Sequence, residues 1–424
     1  MESLIVNGGR ELRGTIKVQG SKNTVLPIIA AALLCENTVE IHNIPHISDV
    51  EEMLEILKDM GAEIRSEEHS VSIYTKNTDG VLNFSRCKKL RASSLFMGAL
   101  LGKNGYFVIP YPGGCDIGKR PIDFHLEGFM MMGATIEQKS DMIIGYCNHL
   151  KGINYDFKYP SVGALENFIL AAVCAYGTSR FTHCAREPEI YDLCRFLNKA
   201  GAKITGMGTD EIVVEGVKKL DGVSCYIPGD RIVAGTYMMA CAVTGGNIRL
   251  KGICPDRVMS TTHILKKAGC HIFTDTAKNE IIILSDGRKK AVSYVETGPF
   301  PMFATDMQPQ MIALSAYLDG ITVISDKVFE NRYHIIDELK KMGADISVHG
   351  REVVVKGKES LMGSTLKAHD LRQGAALVTA ALGARNISTI SNCAYINRGY
   401  ENIAEDMEQL GADIKWQEED KKEL

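Results

Sequence analysis

One short phrase recurs six times along this chain, and a recurrence of that kind constrains the fold more than any composition can. It reads Met60-Gly61-Ala62-Glu63-Ile64, Met132-Gly133-Ala134-Thr135-Ile136 and Ala200-Gly201-Ala202-Lys203-Ile204. It returns as Ala268-Gly269-Cys270-His271-Ile272, Met342-Gly343-Ala344-Asp345-Ile346 and Leu410-Gly411-Ala412-Asp413-Ile414. Successive glycines are 72, 68, 68, 74 and 68 residues apart. A fixed period signals a structural repeat whose copies must share their cores with neighbours.

The context of the phrase repeats as well. Before it stands a helical pattern, such as Val50 to Lys58 or Ile335 to Lys340, and the glycine suits the helix's C-terminal cap. After it comes a strand pair, as in Asp210 to Gly216 or Arg351 to Lys356. An alanine-rich helix follows, apolar nearly all round, for example Asn23 to Leu34, Val162 to Tyr176, Gly235 to Val243 or Gly374 to Gly383. A helix without a polar face is buried. A turn then leads to another strand, as at Thr38 to Ile41 or Gly320 to Ile324. Each unit thus reads strand, helix, strand, helix, strand in about 70 residues, with sheets outside a helical core. Three units make a domain of comfortable size, so two domains of three units are expected, with a ligand in the cleft between them. One continuous solenoid fits the period equally well.

Two loops of each unit carry charge where turn residues would suffice. Before the buried helices stand Lys22, Arg91, Asp230-Arg231, Asp306 and Asp370-Leu371-Arg372. After the second strands come the Cys115-to-Arg120 loop, Arg186, Arg332 and Arg398. A rotational repeat gathers such loops at one end of each domain. Arginine forks there match carboxylate and phosphate oxygens, so the expected ligand is small and multiply anionic. Asp230 and Asp370 also suit the simpler role of capping the helices they precede, and Asp306 has the same alternative. In the longest loop, Cys115 follows two glycines and precedes Lys119 and Arg120, a setting that favours thiolate.

Broad composition narrows the class. A net charge of −4 gives no electrostatic case for nucleic acid. No apolar run is long enough to span a bilayer, and the first residues lack the basic-then-apolar pattern of a signal peptide. The twelve cysteines are scattered without any C-x-x-C pair, which fits free thiols in a reducing, cytoplasmic setting. His125, His183 and the cysteines lack ligand spacing, so no metal and no cofactor is expected. The polar tail at 415–424, with the only tryptophan, Trp416, is expected to fray.

The loop Pro112 to His125 resembles the catalytic loop of the UDP-N-acetylglucosamine 1-carboxyvinyltransferases, members of the enolpyruvyl transferase family. So do Gly20 to Asn23, Leu90 to Ser93, Ala185 to Glu189, Gly206 to Asp210, Thr305 to Gln308, Phe329 to Arg332, Asp370 to Arg372 and Asn397 to Tyr400. These matches run in order over nearly the whole chain. Departures from the family pattern fall at Tyr159, Ala304 and His334.

The resemblance implies an α/β fold of two inside-out α/β barrel domains, each of three strand-helix-strand-helix-strand units with helices inside. It places the first domain at 22–229, with the Cys115 loop, and the second at 1–21 plus 230–424. It implies transfer of the enolpyruvyl group of phosphoenolpyruvate to the 3′-hydroxyl of UDP-N-acetylglucosamine in peptidoglycan synthesis. Cys115 is then the general acid and Asp306 the base. Lys22, Asn23, Arg120, Arg332, Arg372 and Arg398 face phosphoenolpyruvate. Arg91, Arg120, Pro121, Ile122, Asp123, Phe124, Ser161, Val162, Gly163, Asp306 and Val328 face the UDP-sugar, and Asp370 supports them. Backbone N–H groups at Ser161 to Gly163, opening a helix, suit a diphosphate. The sibling enzyme acting on shikimate 3-phosphate shares the six-unit fold but not the Gly-Gly-Cys loop. A non-enzymatic scaffold would keep the packing phrase and let the loops drift.

Overall fold

The computed structural model describes residues 2–113, 122–287, 289–329 and 332–418. Six sheets answer the six copies of the phrase. In the third copy the strand Asn154–Asp156 leads into a helix at Val162–Ala172, and the chain returns as Thr178–Thr182, parallel to the first strand. A second helix, Pro188–Lys199, follows. Lys203–Thr205 and Glu211–Glu215 then form an antiparallel hairpin whose second strand bonds to Thr178–Thr182, with Phe181 opposite Ile212. The unit therefore holds six elements, one more than the five-element reading. Both members of the strand pair are complete, and the second joins the hairpin to the sheet.

The recurrent phrase is a helix stop. All six of its glycines have positive φ, from 88° to 105°. In each copy the glycine N–H bonds to the carbonyl three residues back, at 2.8–3.1 Å. The next N–H reaches five back, at 2.9–3.1 Å. That pair of bonds is the Schellman motif, and a left-handed residue at its turn favours glycine.

Six helices are buried along nearly their whole length: α1 (Lys22–Ala31), α2 (Phe96–Asn104), α3 (Val162–Ala172), α4 (Arg231–Thr244), α5 (Gln308–Ser315) and α6 (Leu371–Gly383). Small residues let them approach. At Gly98 a Cβ would come within 2.3 Å of the Asn167 carbonyl, so α2 and α3 touch backbone to backbone. The strands outside alternate buried and exposed residues, as in Glu211–Glu215, where Ile212 and Val214 face inward. This is the inside-out α/β arrangement, with helices in the core and sheets on the surface.

The chain separates into two compact units, each with its own apolar core. One joins the start of the chain, through Gln19, to Pro228 and everything after it. The other takes the described residues between Gly20 and Ile227. At both passages the entering strand stays behind in the sheet of the unit it leaves. Leu12–Lys17 lies parallel to Gly246–Lys251, and Ser224–Tyr226 lies parallel to Val39–His42.

The sixth sheet corrects the expected frayed tail as far as residue 418. Asp413–Glu418 is a strand, antiparallel to Glu2–Asn7, with Leu4 opposite Trp416. The start of the chain thus supplies the hairpin partner that the last copy lacks. The Trp416 Nε1–H also reaches Asn402 Oδ1 at 3.4 Å.

Candidate active site

The unit containing residues 228–418 offers three buried helices whose N-termini differ in chemistry. Asp230 and Asp370 are N-caps. Asp230 accepts from the N–H of Ile232 and Val233 at 2.8 and 3.2 Å, and Asp370 from Arg372 and Gln373 at 2.8 and 2.9 Å. Capping is therefore the observed role of both, as the simpler alternative has it. Asp306 does something else. It lies in a short 3-10 turn, Thr305–Met307, just before α5, and its carboxylate caps nothing.

Both oxygens of Asp306 are held by arginines. Arg372 donates from Nε and Nη2 to Oδ2 at 3.1 and 2.8 Å, and Arg332 donates from Nη2 to Oδ1 at 3.0 Å. Asp306 keeps a quarter of its side chain exposed, whereas each arginine keeps only 5%. Burial by itself would raise the Asp306 carboxyl, but the charges of Arg372 and Arg332 outweigh it and hold the group well below the usual carboxylate range. Arg332 Nε and Arg372 Nη1 are buried and have no hydrogen-bond partner. A buried guanidinium N–H without an acceptor is costly, so these two atoms mark where an anionic ligand would be welcome.

Close by, Arg398 ends the 3-10 turn Cys393–Arg398 and is partly buried. The next turn is pinned by Gln19, whose Nε2 donates to the Gly399 carbonyl at 3.2 Å and whose Oε1 accepts from the Glu401 N–H at 2.8 Å. The Val328 N–H donates to Asp326 Oδ1 at 2.8 Å.

The unit between Gly20 and Ile227 presents a different set. Ser21 caps α1, and the first helical residue, Lys22, is buried with its Nζ 2.6 Å from Asp49 Oδ2. Asn23 follows, half-buried. Arg91, also half-buried, opens a 3-10 turn, Arg91–Leu95, that runs into α2. Ser161 caps α3 through the Ala164 N–H at 3.4 Å, leaving Val162 and Gly163 partly exposed at the helix start. Ile122 is buried, and Asp123 and Phe124 begin the helix Asp123–Met131.

His125 on that helix is a buried neutral imidazole. Asn167 accepts from the Gly98 N–H at 2.8 Å, so its amide nitrogen donates to the Gly163 carbonyl at 3.2 Å and to His125 Nδ1 at 3.0 Å. The His125 proton therefore sits on Nε2. Burial, with a smaller contribution from the Arg91 charge, pushes this histidine down to about 3. On α3, Glu166 goes the other way: burial and then the charges of Glu189 and Glu187 raise its carboxyl well above the ordinary value.

Cys115, Arg120 and Pro121 lie outside the described residues. Every described cysteine is a free thiol. Burial pushes Cys35, Cys87, Cys184, Cys194, Cys225 and Cys241 up to about 12, which keeps them protonated and unreactive.

Of the residues singled out from sequence, Asp306, Arg332 and Arg372 meet in one cluster, with Asp370 holding the start of the helix that carries Arg372. Asp49, Asn167, Gln19 and Asp326 escaped the sequence reading. Each is a polar residue with a partner far along the chain, and Asn167 and Asp326 also bind backbone nearby. The only signal at Asp326 was a carboxylate ending the strand Ile321–Asp326.

The chain is similar to known proteins over nearly its whole length. A family model described as EPSP synthase (3-phosphoshikimate 1-carboxyvinyltransferase) matches residues 6–407. UDP-N-acetylglucosamine 1-carboxyvinyltransferase 2 of Carboxydothermus hydrogenoformans is 42% identical over 416 residues, covering 98% of this chain and 99% of its own. UDP-N-acetylglucosamine 1-carboxyvinyltransferase 1 of Symbiobacterium thermophilum is 43% identical over 422 residues, covering 97% and 95%. Among solved structures, the enolpyruvyl transferase NikO from Streptomyces tendae superposes with a TM-score of 0.88 at 23% identity, over 98% of both chains. EPSP synthase from Acinetobacter baumannii gives 0.74 at 21% identity, over 99% and 100%. Among the described residues, no helix is long and apolar enough to cross a membrane.

Proposed function

The chain belongs to the EPSP synthase family of 1-carboxyvinyltransferases, and from that premise we propose how its residues divide the reaction. It transfers the enolpyruvyl group of phosphoenolpyruvate to the 3′-hydroxyl of UDP-N-acetylglucosamine and releases phosphate, the first committed step of peptidoglycan synthesis. Addition to C2 of the enol ester needs a base for the hydroxyl, an acid for C3 and cations around the phosphate and carboxylate.

The observation that carries the site assignment is Asp306 between two buried arginines that each keep an unused N–H. Asp306 is the base. Clamped by two cations it is a weak one, because a stabilised carboxylate has little affinity for a proton. An arriving phosphoenolpyruvate supplies acceptor oxygens to the free N–H groups of Arg332 and Arg372. Its negative charge offsets theirs, so the proton affinity of Asp306 rises as the substrate loads. Arg398, Lys22, Asn23 and Arg120 contribute further to binding phosphoenolpyruvate. Ser161 to Gly163 bind the diphosphate at the start of α3. Arg91, Arg120, Pro121, Ile122, Asp123, Phe124 and Val328 bind the rest of the UDP-sugar. Cys115 delivers the proton to C3. The setting is cytoplasmic, in keeping with free thiols throughout the described residues.

The test is phosphate release from phosphoenolpyruvate with either UDP-N-acetylglucosamine or shikimate 3-phosphate as acceptor. Turnover is expected with the first alone. Cys115→Ala should lower it by about 10²- to 10⁴-fold, the usual worth of a positioned acid. Unchanged turnover removes Cys115 from the mechanism. The epoxide fosfomycin should add once to the wild-type protein and not to Cys115→Ala, since Lys119 and Arg120 favour the thiolate at Cys115. Intact-mass measurement reads both outcomes.

A further inference from the structure

Asp326 is fully buried and accepts four hydrogen bonds. Its Oδ1 takes the Thr297 hydroxyl at 2.7 Å and the backbone N–H groups of Val328 and Phe329 at 2.8 and 3.1 Å. Its Oδ2 takes the Thr305 hydroxyl at 2.9 Å. Both hydroxyls donate to the carboxylate oxygens. The Thr305 oxygen is then left with lone pairs only, and Arg332 Nη1 donates into it at 3.1 Å.

A second route from Asp326 ends on the same arginine. The Phe329 ring, whose backbone Asp326 pins, lies 5.0 Å from the Arg332 guanidinium carbon. Arg332 is thereby held on one nitrogen and on one face. Its Nη2 is on Asp306 at 3.0 Å, and its buried Nε is left over.

We propose that Asp326 is a positioning residue for the reaction: through Thr305 and Phe329 it fixes the plane of the Arg332 fork. It thereby orients the Asp306 carboxylate and the N–H that meets substrate. This rests on the reading of Asp306 and Arg332 as site residues. The logic lies in polarity as well as shape. Asparagine has the same outline but carries one amide nitrogen. If that nitrogen faces Thr305, the hydroxyl must accept, and its proton turns against Arg332 Nη1. If the amide flips, the nitrogen faces the N–H groups of Val328 and Phe329. Either way two donors meet in a buried place, which costs more than a missing bond.

Three variants test this, with thermal melts beside kinetics in phosphoenolpyruvate and in UDP-N-acetylglucosamine. Asp326→Asn and Thr305→Val should each lower kcat/KM for phosphoenolpyruvate by about 10- to 100-fold, the range for residues that orient a working group. Thr305→Ser keeps the hydroxyl and should stay within about threefold of wild type. The double variant should be no worse than the more damaged single, because both break one relay. Thr305→Val leaves the other three bonds to Asp326 intact, so it decides the matter if Asp326→Asn fails to fold. If folded Thr305→Val keeps wild-type kcat/KM, or Thr305→Ser is as damaged as Thr305→Val, the relay is overturned. Asp306→Asn, assayed in parallel, separates the two readings. Normal turnover there sinks the base assignment, whereas the loss in Thr305→Val still reports Asp326 acting on Arg332.

Discussion

The two ends of the repeated unit are built on opposite principles. Where an outer helix stops, all six copies use the same device: a left-handed glycine, a bond three back and a bond five back. Where a buried helix starts, the copies disagree. Ser21, Ser161, Asp230 and Asp370 cap their helices, Arg91 opens a 3-10 turn, and Asp306 gives its carboxylate to two arginines. The first end carries packing, which every copy needs alike. The second carries chemistry, which a substrate of low symmetry draws from each copy differently. A substitution at the first end should therefore show in stability alone, and one at the second in turnover as well.

The largest break in that pattern is expected from Asp306→Asn. Loss of the base should lower kcat by about 10²- to 10⁴-fold. The variant should also melt lower, because two buried guanidiniums lose the anion between them, a change of roughly 3–5 kcal/mol in comparable pairs. Phosphate or phosphoenolpyruvate should restore part of that stability by taking the empty place, so the melting temperature becomes anion-dependent. The sign with pH follows from the depressed carboxyl. Asp306 contributes its stability fully above the unfolded carboxylate range, near pH 4. It loses that contribution only as pH falls below this range toward its folded value. The gap in melting temperature between wild type and Asp306→Asn should thus stay constant from about pH 5 to 7 and narrow below about 4. A gap that closes already near pH 6 would mean the arginines do not hold this carboxylate.

How far the sequence could be read follows from the same contrast. The helix stops were legible because the cap is local: glycine, the residue before it and the isoleucine after it lie within five positions. The buried helices were legible because they are apolar on every side. Asp306, Arg332 and Arg372 stood out as charges in loops where turn residues would do, and the family motif gave them roles. The pairings themselves were not legible. Lys22 with Asp49, Gly98 with Asn167 and Gln19 with Gly399 join residues that nothing local connects. The strand at Asp413–Glu418 was missed for the same reason, since its partner is at the other end of the chain.

A middle-sized effect belongs to His125, which sits at the functional end yet is held by a structural bond to Asn167. Its folded value is pushed from 6.5 down to about 3. Between those values the unfolded chain binds a proton and the native protein does not, so stability falls as pH drops from about 6.5 toward 3. The full difference is on the order of 5 kcal/mol. His125→Gln keeps an acceptor for the Asn167 amide and removes the titration. Urea midpoints at pH 7 and pH 5 should therefore lie closer together in the variant than in wild type. An equally large shift in both would show that His125 already takes up its proton in the native protein.

The smallest effect sharpens the other end. At Gly343 and Gly201 an added Cβ would meet nothing within 4 Å, so alanine there tests the backbone alone. With φ at 88° and 105°, each substitution should cost about 1–2 kcal/mol of stability through left-handed strain. Neither should alter kcat or KM, because the strain stays in a helix stop that touches no residue of the candidate site. The two alanines together should add, since they belong to copies in separate units. A fall in kcat from either alone, in protein that remains folded at the assay temperature, would mean that the stop of an outer helix is read by the helix starts. The division of labour within the repeat would then be wrong.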